Sequence, residues 1–431
     1  PGGVILTIYE ALYNQNDIKH YLVRHEQAAV HAAEGYARTT GKCGVALVTS
    51  GPGATNTVTG IANAYYDGYP IVVFTGQVGL NQIGNDAFQE ADVVGITRSC
   101  CKHNYLVKDV KDLQRIIKEA FHIATTGKPG PVVVDLPKDI LTQKTAFNYP
   151  KTVKLAGYNP NYKGHPIQIG RALKMLSEAH RPVIISGGGV LTSGAYKELE
   201  KVANMLKIPV THTLMGTGTF PSTNVLDLGM LGMHGSFWAN YAVSHSDVIF
   251  ALGTRFNDRI TGCLQRFARD AHVIHVDIDP CSISKNVKAD IPIVGDVKNV
   301  LVELISQYEK KPLNIYEEDK QKWLEQINEW KQKKAVPVHT SGKLSALTVI
   351  KTLYEATKEY NPIVCTEVGQ HQMWTAQLFK FNEPRKFITS GGLGTMGFGF
   401  PAAMGACAAK PDTLVLNIAG DGSIQMNIQE L

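Results

Sequence analysis

LVLNIAGDGSIQMNIQEL, residues Leu414–Leu431, opens on a short apolar run, Leu414–Ile418, of the kind that forms a buried parallel strand. The run ends in Ala419-Gly420-Asp421-Gly422-Ser423. Two glycines around one aspartate let the backbone turn sharply and come close to a ligand. Asp421 then stands at the carboxyl end of a strand, where open α/β sheets bind their ligands. A lone carboxylate beside exposed backbone amides suits a hard divalent cation that also holds phosphate oxygens. The same residues suit a tight turn in which Asp421 caps the next helix. Upstream residues have to decide between the two.

At 431 residues the chain has room for two or three domains, each with its own core. Hydrophobic content of 44% and charged content of 19% describe an ordinary globular protein. The net charge of +5 is spread along the chain. Its densest basic cluster, Lys331–Lys334, lies in a helical stretch that also carries Glu and Asp, which reads as a solvated face and not as a nucleic-acid site. No apolar run reaches the ~18 residues that span a bilayer, and no signal or transit segment is expected. Cys43, Cys100, Cys101, Cys263, Cys281, Cys365 and Cys407 show no CxxC spacing, so reduced thiols in a cytoplasmic protein are expected, with Cys100 and Cys101 as packing residues. Pro1-Gly2-Gly3 reads as a turn that should follow a strand, and the chain closes inside a motif; a fragment of a longer protein is expected.

In residues 1–145, Gly41–Ser50, Pro70–Thr75 and Pro131–Leu136 read as strands, with helical stretches such as Asp112–Thr125 between them. That alternation argues for a parallel, doubly wound sheet. Gly51–Asn56 reads as a turn into a helix. Val23–Ala29 leads into another helix whose Ala28, Ala29, Ala32, Ala33 and Ala37 make a narrow face able to pack closely. Glu26 lies in or before its first turn, a position that the helix dipole alone favours by ~0.3–1 kcal/mol. Gln77 and Lys138 follow two of the strands and Gln89 sits in Asp86–Glu90, so polar side chains gather where one sheet presents its functional groups.

After a loop-forming linker at Tyr149–His165, residues 165–310 read as a second doubly wound unit. Arg181–Ser186 runs into Gly187-Gly188-Gly189, Asp247–Gly253 ends at Thr254–Arg259, and His272–Ile278 contains Asp277. Glycines that admit a pyrophosphate and an acid for a ribose hydroxyl point to a nucleotide, although glycine after a strand is often only a turn. Residues 308–340, with Trp323 and Trp330, read as a charged helical linker. Residues 345–431 bring the strand Pro362–Thr366, then Glu367–Trp374, then the glycine run Ser390–Ala406. Gly392–Gly397 fits GxGxxG, with Asp421 downstream, which is a formal dinucleotide fingerprint and makes a dehydrogenase the first rival enzyme. Asp421 lies between glycines, however, and Met396 and Phe398 put bulk into a turn that would cradle pyrophosphate. Ser50–Gly53 echoes Ser390–Gly392, so the first and last segments are expected to share one fold and to face each other across a ligand.

RHEQAA (24–29), SGPGATN (50–56), FTGQV (74–78), DAFQEAD (86–92), RFNDR (255–259), VGQHQMW (368–374), GGLGTMGFG (391–399) and GDGSIQMN (420–427) follow one another here in an order that resembles acetolactate synthase catalytic subunits, a family of thiamine-diphosphate enzymes. The resemblance covers nearly the whole chain. It implies an α/β fold of three doubly wound parallel-sheet domains: a pyrimidine-binding domain over 1–145, an FAD-binding Rossmann-like domain over 165–310, and an incomplete pyrophosphate-binding domain over 345–431. It implies decarboxylation of pyruvate on thiamine diphosphate and transfer of the two-carbon unit to a second 2-oxo acid, pyruvate or 2-oxobutyrate, in branched-chain amino acid synthesis. It also implies a homodimer or tetramer with active sites shared between subunits and, in some members, a small regulatory subunit.

Residue by residue, Glu26 matches the glutamate that hydrogen-bonds the aminopyrimidine, whose ring nitrogen then acts as an internal base. Met396 matches the bulky residue that bends the cofactor. Asp421 matches the first protein ligand of Mg2+, while Gln370, His371, Gly394, Gly420, Gly422 and Ser423 match contacts of the bound cofactor. Gln89, Met233 and Lys138 match positions near the substrate channel. Lys128, Gly187, Gly188, His234, Arg255, Asp277 and Asp296 fall where contacts to FAD lie, a flavin with no redox role in this reaction. The chain departs from the pattern at Gly79, often proline, at Lys128, often arginine, and at Asn257, often aspartate. The family's second magnesium ligand is an asparagine some two dozen residues past the GDG turn, so a piece of this length is expected to bind thiamine diphosphate weakly and turn over little. Pyruvate oxidase and 2-oxo acid decarboxylases are rivals within the same cofactor class, though no His-His pair occurs. A non-catalytic homologue is the rival outside it, and Glu26 argues against that.

Overall fold

The computed structural model describes residues 1–333 and 344–431. The chain forms two compact units, one of Pro1–Tyr158, Pro362–Gln372 and Ile388–Leu431, the other of Asn159–Asn361 and Met373–Phe387. The first begins with β1 (Gly44–Val48), β2 (Ile71–Gln77), β3 (His103–Leu106) and β4 (Val132–Pro137). They lie in the order β1-β2-β4-β3, all parallel. The runs IVVFTGQ and VVVDLP occupy the two central places because β-branched side chains fill both faces of a covered sheet. The edge strand β3, HNYL, carries no such run and was not expected from the sequence.

The second unit holds β5 (Pro182–Ser186), β6 (Val210–His212), β7 (Asp227–Met230), β8 (Val248–Leu252), β9 (His272–Asp277) and β10 (Ile291–Val294). Their order, β10-β9-β8-β5-β6-β7, is that of a doubly wound dinucleotide-type sheet, again all parallel. Its direction of winding reverses between β5 and β8. The helix Glu317–Lys333 is part of this unit and not a free linker: Trp323 and Ile327, four residues apart, are buried against the sheet, with Trp323 Nε1 donating to Pro182 O at 3.2 Å. Lys331 is likewise not solvated, since its Nζ donates to Asp227 O at 2.7 Å. Lys334 and the end of the 308–340 stretch lie outside the described residues.

β11 (Ile363–Thr366), β12 (Phe387–Thr389) and β13 (Val415–Ile418) make a third sheet in the order β12-β11-β13. β13 pairs in parallel with β11, Val415 opposite Ile363. It is an edge strand and only half-buried, where the sequence suggested full burial. This order removes the dinucleotide fingerprint. In such a fold the acid ends the strand next to the one that feeds the glycine loop, whereas β11 separates β12 from β13 here.

The alanine face of the helix Glu26–Thr40 does pack closely. It crosses the helix Gly399–Ala409 so tightly that a Cβ on Gly35 would strike the Ala402 backbone, and one on Gly405 the Ala32 backbone. The two segments therefore touch directly at this crossing. A helical Gly→Ala change gains up to ~1 kcal/mol in propensity, but forcing apart close-packed groups costs about 1–3 kcal/mol. The struck atoms at Gly35 are backbone and cannot rotate away, so the second effect wins. Gly35→Ala is expected to lower the urea midpoint of unfolding, while Gly3→Ala, whose Cβ meets nothing within 4 Å, leaves it in place.

Candidate active site

β13 delivers the GDG turn to the carboxyl end of the third sheet. Gly420 is the N-cap of the short helix Asp421–Gln425, and its N–H donates to Ser423 Oγ at 3.2 Å. The capping side chain is therefore Ser423, and Asp421 is left as the first helical residue with its side chain exposed. Gly420 is bare for a reason: a Cβ there would stand 3.1 Å from His371 Cε1. His371 and Gln370 open the helix that follows β11, and burial lowers the His371 pKa. A Cβ on Gly422 would lie 3.5 Å from Met396 Cε, and beside Gly394 (φ +73°) there is open space. His371 and Met396 thus lie against the Gly420–Ser423 turn, and Gln370 precedes His371 at the start of its helix.

Glu26 is the first residue of its helix. His25 caps it by accepting Gln27 N–H at 3.1 Å, and the N–H groups of Arg24 and His25 donate to the Glu430 carboxylate at 2.9–3.0 Å. Glu26 Oε2 accepts from Asn56 Nδ2 at 3.0 Å, and Oε1 lies 3.5 Å from where a Gly53 Cβ would be. The carboxylate is half-buried, less enclosed than its alanine neighbours suggested. Gly51 needs its positive φ of 58°, and a Cβ there would meet Gln89 O at 2.9 Å. Glu26, the Gly51–Asn56 turn and Gln89 are in this way one cluster at the carboxyl end of β1. Lys138, exposed, follows β4 on the same edge of the sheet. Gln77 does not join them: its amide donates to Asp135 Oδ2 at 2.9 Å and Ala91 O at 2.7 Å, so it props the chain.

The groups that the sequence reading missed lie behind this site. On the helix Glu26–Thr40, Gln27, His31, Glu34 and Arg38 form a polar stripe at helical spacing, and the last three are buried. Arg38 Nη2 bridges Glu34 Oε1 and Asp67 Oδ2, each at 2.5 Å, with its guanidinium 4.1 Å above the Tyr69 ring. Burial raises the Glu34 pKa more than Arg38 lowers it. Asn63 Nδ2 donates to Glu34 Oε2 at 2.9 Å. Glu367 is also buried, and its carboxylate accepts Gly397 N–H at 2.7 Å and Phe400 N–H at 3.0 Å. The sequence signal was present in the charged pair Glu34/Arg38, four residues apart on an otherwise alanine-rich helix.

In the second unit, Gly187 and Gly188 follow β5 while Arg255 follows β8, which places all three at the switch point of that sheet. Gly187 and Gly189 owe their lack of a Cβ to the Gly253–Thr254 backbone. The buried Thr254 Oγ1 has no hydrogen-bond partner among the described residues. Asp277 ends β9 and accepts Asp279 N–H at 2.9 Å; Asp296 caps the helix Val297–Lys310 by accepting Asn299 N–H at 3.1 Å. His234 O accepts from Gln377 Nε2 at 2.5 Å. Met233 is exposed, and Lys128 stands in the first unit, where its charge helps burial to lower the Lys102 pKa to about 8.

Family models of thiamine pyrophosphate enzymes match in three places, the N-terminal TPP binding domain over 1–96, the central domain over 169–304 and the C-terminal TPP binding domain over 367–431. The two cofactor-binding models cover the Glu26 and Asp421 clusters. Relatives span the whole chain. It is 52% identical to an acetolactate synthase large subunit of Buchnera aphidicola and covers 75% of that protein. It is 50% identical to the acetolactate synthase isozyme 3 large subunit of Escherichia coli, again over 75% of it, and 51% identical to a probable acetolactate synthase large subunit of Methanocaldococcus jannaschii, over 74%. The chain belongs to the acetolactate synthase large-subunit family.

His31 gives this region a titration signature. Burial, and then Arg38, lower its pKa to about 3. A folded-state pKa below the unfolded value of about 6.5 means that the unfolded chain takes up the proton first as pH falls. Stability is then full above pH ~6.5 and is lost toward pH 3, by up to about 1.4 kcal/mol per unit. Urea titrations across that window should show this slope, and His31→Gln should flatten it.

Proposed function

We propose that this chain is the catalytic subunit of an acetolactate synthase, converting pyruvate and a second 2-oxo acid, pyruvate or 2-oxobutyrate, into a 2-hydroxy-3-oxo acid and carbon dioxide. The observation that carries the reading is the glycine-flanked Asp421 turn beside His371 and Met396 in the stretch matched by the C-terminal cofactor-binding model, with Glu26 at a helix start in the stretch matched by the N-terminal one. Bound thiamine diphosphate would supply the carbon that adds to pyruvate and holds the two-carbon unit after carbon dioxide leaves.

The residues fit that cofactor. Open space beside Gly394 leaves room for a diphosphate near the backbone amides of the Gly420–Ser423 turn. Gln370, His371 and Ser423 would bind its oxygens, and Met396 would hold it bent. Asp421, an exposed carboxylate at the start of a helix, suits Mg2+ shared with phosphate oxygens. Glu26, steadied by Asn56, would share a proton with the aminopyrimidine ring and favour the tautomer whose nitrogen serves as base. Gln89 and Lys138 would orient the substrate carboxylates.

The switch point of the second sheet suits a nucleotide. Gly187, Gly188 and Arg255 would meet the pyrophosphate of FAD, Asp277 a ribose hydroxyl, and His234 and Asp296 its remainder. Domains over 1–145, 165–310 and 345–431 would carry these tasks, in a cytoplasmic homodimer or tetramer with shared sites. The relatives' name "large subunit" supports a small regulatory partner. No helix among the described residues is long and apolar enough to cross a membrane.

Pyruvate fed to the intact enzyme with thiamine diphosphate, Mg2+ and FAD should yield acetolactate without bleaching the flavin. Acetate or acetyl phosphate with flavin reduction would make it an oxidase instead. Glu26→Gln is expected to lower kcat by about 10²–10⁴-fold, the usual worth of a positioned proton-transfer group.

A further inference from the structure

The loop Ser390–Gly397 carries Gly394 and Met396, and both of its shoulders are tied to side chains remote in sequence. On the entering side, Asp67 accepts two backbone amides, Gly391 N–H at 3.1 Å and Gly392 N–H at 2.6 Å. Asn63 Oδ1 accepts Ser390 Oγ at 2.6 Å and Thr395 Oγ1 at 2.9 Å, while Thr395 N–H returns to Ser390 Oγ at 2.9 Å. On the leaving side, Glu367 takes Gly397 N–H and Asn427 Nδ2 donates to Gly397 O at 2.6 Å. Between these ties Leu393 and Met396 are exposed.

The anchors do not float. Asn63 and Asp67 are four residues apart on the helix Val58–Asp67, and both are held from the helix Glu26–Thr40, Asn63 by Glu34 and Asp67 by Arg38. A continuous chain of hydrogen bonds therefore runs from the helix that begins at Glu26 to the loop that presents Met396. The bonds of Asn63 to Glu34, Ser390 and Thr395 are buried, those of Asp67 to Arg38 and Gly391 half-buried, and that of Asp67 to Gly392 exposed. Breaking a buried one leaves a polar partner unmet, so the loop has one favoured place.

We infer that Asn63 and Asp67 are positioning residues for the thiamine-diphosphate site, acting through the Ser390–Gly397 loop and setting where it presents Met396 and Gly394. Neither residue touches the turn at Asp421. Their effect is on the geometry of the loop tip, and hence on how much binding energy goes into ordering it. The inference rests on the cofactor site proposed above.

The test uses the intact enzyme with Mg2+ and reads thiamine diphosphate affinity by fluorescence titration, together with hydrogen exchange over 390–397 in the absence of cofactor. Asp67→Asn and Asn63→Ala are expected to speed exchange in that loop and to weaken cofactor binding at least tenfold. Ser390→Ala removes one hydroxyl from the loop itself and should do the same in smaller measure even if the helix variants fold poorly. Glu119→Gln perturbs half-buried bonds to Arg115, on the same helix Leu113–Thr125, and to Tyr105 on β3. It should lower the melting temperature while leaving affinity and loop exchange as they were. Folded Asp67→Asn and Ser390→Ala proteins with unchanged affinity and unchanged loop exchange would overturn the inference. Absence of thiamine diphosphate binding by the wild-type enzyme would instead overturn the cofactor assignment, and the exchange data would still report on the strut.

Discussion

Two helices can meet backbone to backbone only where neither presents a side chain, and the crossing of Glu26–Thr40 with Gly399–Ala409 meets that condition at Gly35 and Gly405. The contact has two consequences. It fixes the start of the first helix, where Glu26 sits, to the element that leaves the Met396 loop. It also leaves no room for side chains at the seam, so the charged residues on either side of it, Glu34 and Arg38, are sealed from water. The polar network exists because the packing is this close.

The first and third sheets then each supply functional groups through the carboxyl ends of their strands. β1 brings the Gly51–Asn56 turn that steadies Glu26, β4 brings Lys138, β11 brings Glu367 and His371, and β13 brings the GDG turn. Parallel strands are the reason that all these ends face the same way in each sheet. Glycine does a different task at each place. At Gly420 it yields space to an imidazole, at Gly51 it allows a left-handed backbone, and at Gly394 it leaves the space open.

The strands legible in the sequence were those with β-branched runs, such as IVVFTGQ and VIFAL, because covered parallel strands need apolar residues on both faces. HNYL, VTH, DLGM and IPIV were not, since three- or four-residue strands take their pairing from neighbours that are distant in sequence. At the site, GDG and RHEQAA announce themselves as short local patterns. Asn63 and Asp67 do not: they sit on an ordinary helix, and their partners are more than 320 residues away. Glu34 drew no reading, because a single chain pattern cannot say which face another helix will cover. The glycines after β5 were legible as a turn, and the structure credits two of them to packing against Gly253.

Energetics give the Glu34–Arg38–Asp67 cluster its meaning. Taking three charges out of water costs several kcal/mol for each ion, and replacing such clusters by well-packed apolar groups is often neutral or stabilising by about 1–4 kcal/mol. Stability alone is thus a weak reason for the cluster to be there. Directionality is a better one. Leu or Phe would fill the volume but would hold the neighbouring loop by contact, which tolerates sliding. Asp67 offers two oxygens to two successive amides, and Arg38 fixes where those oxygens point. What the charges supply is an orientation, delivered to a loop whose tip has to meet a ligand.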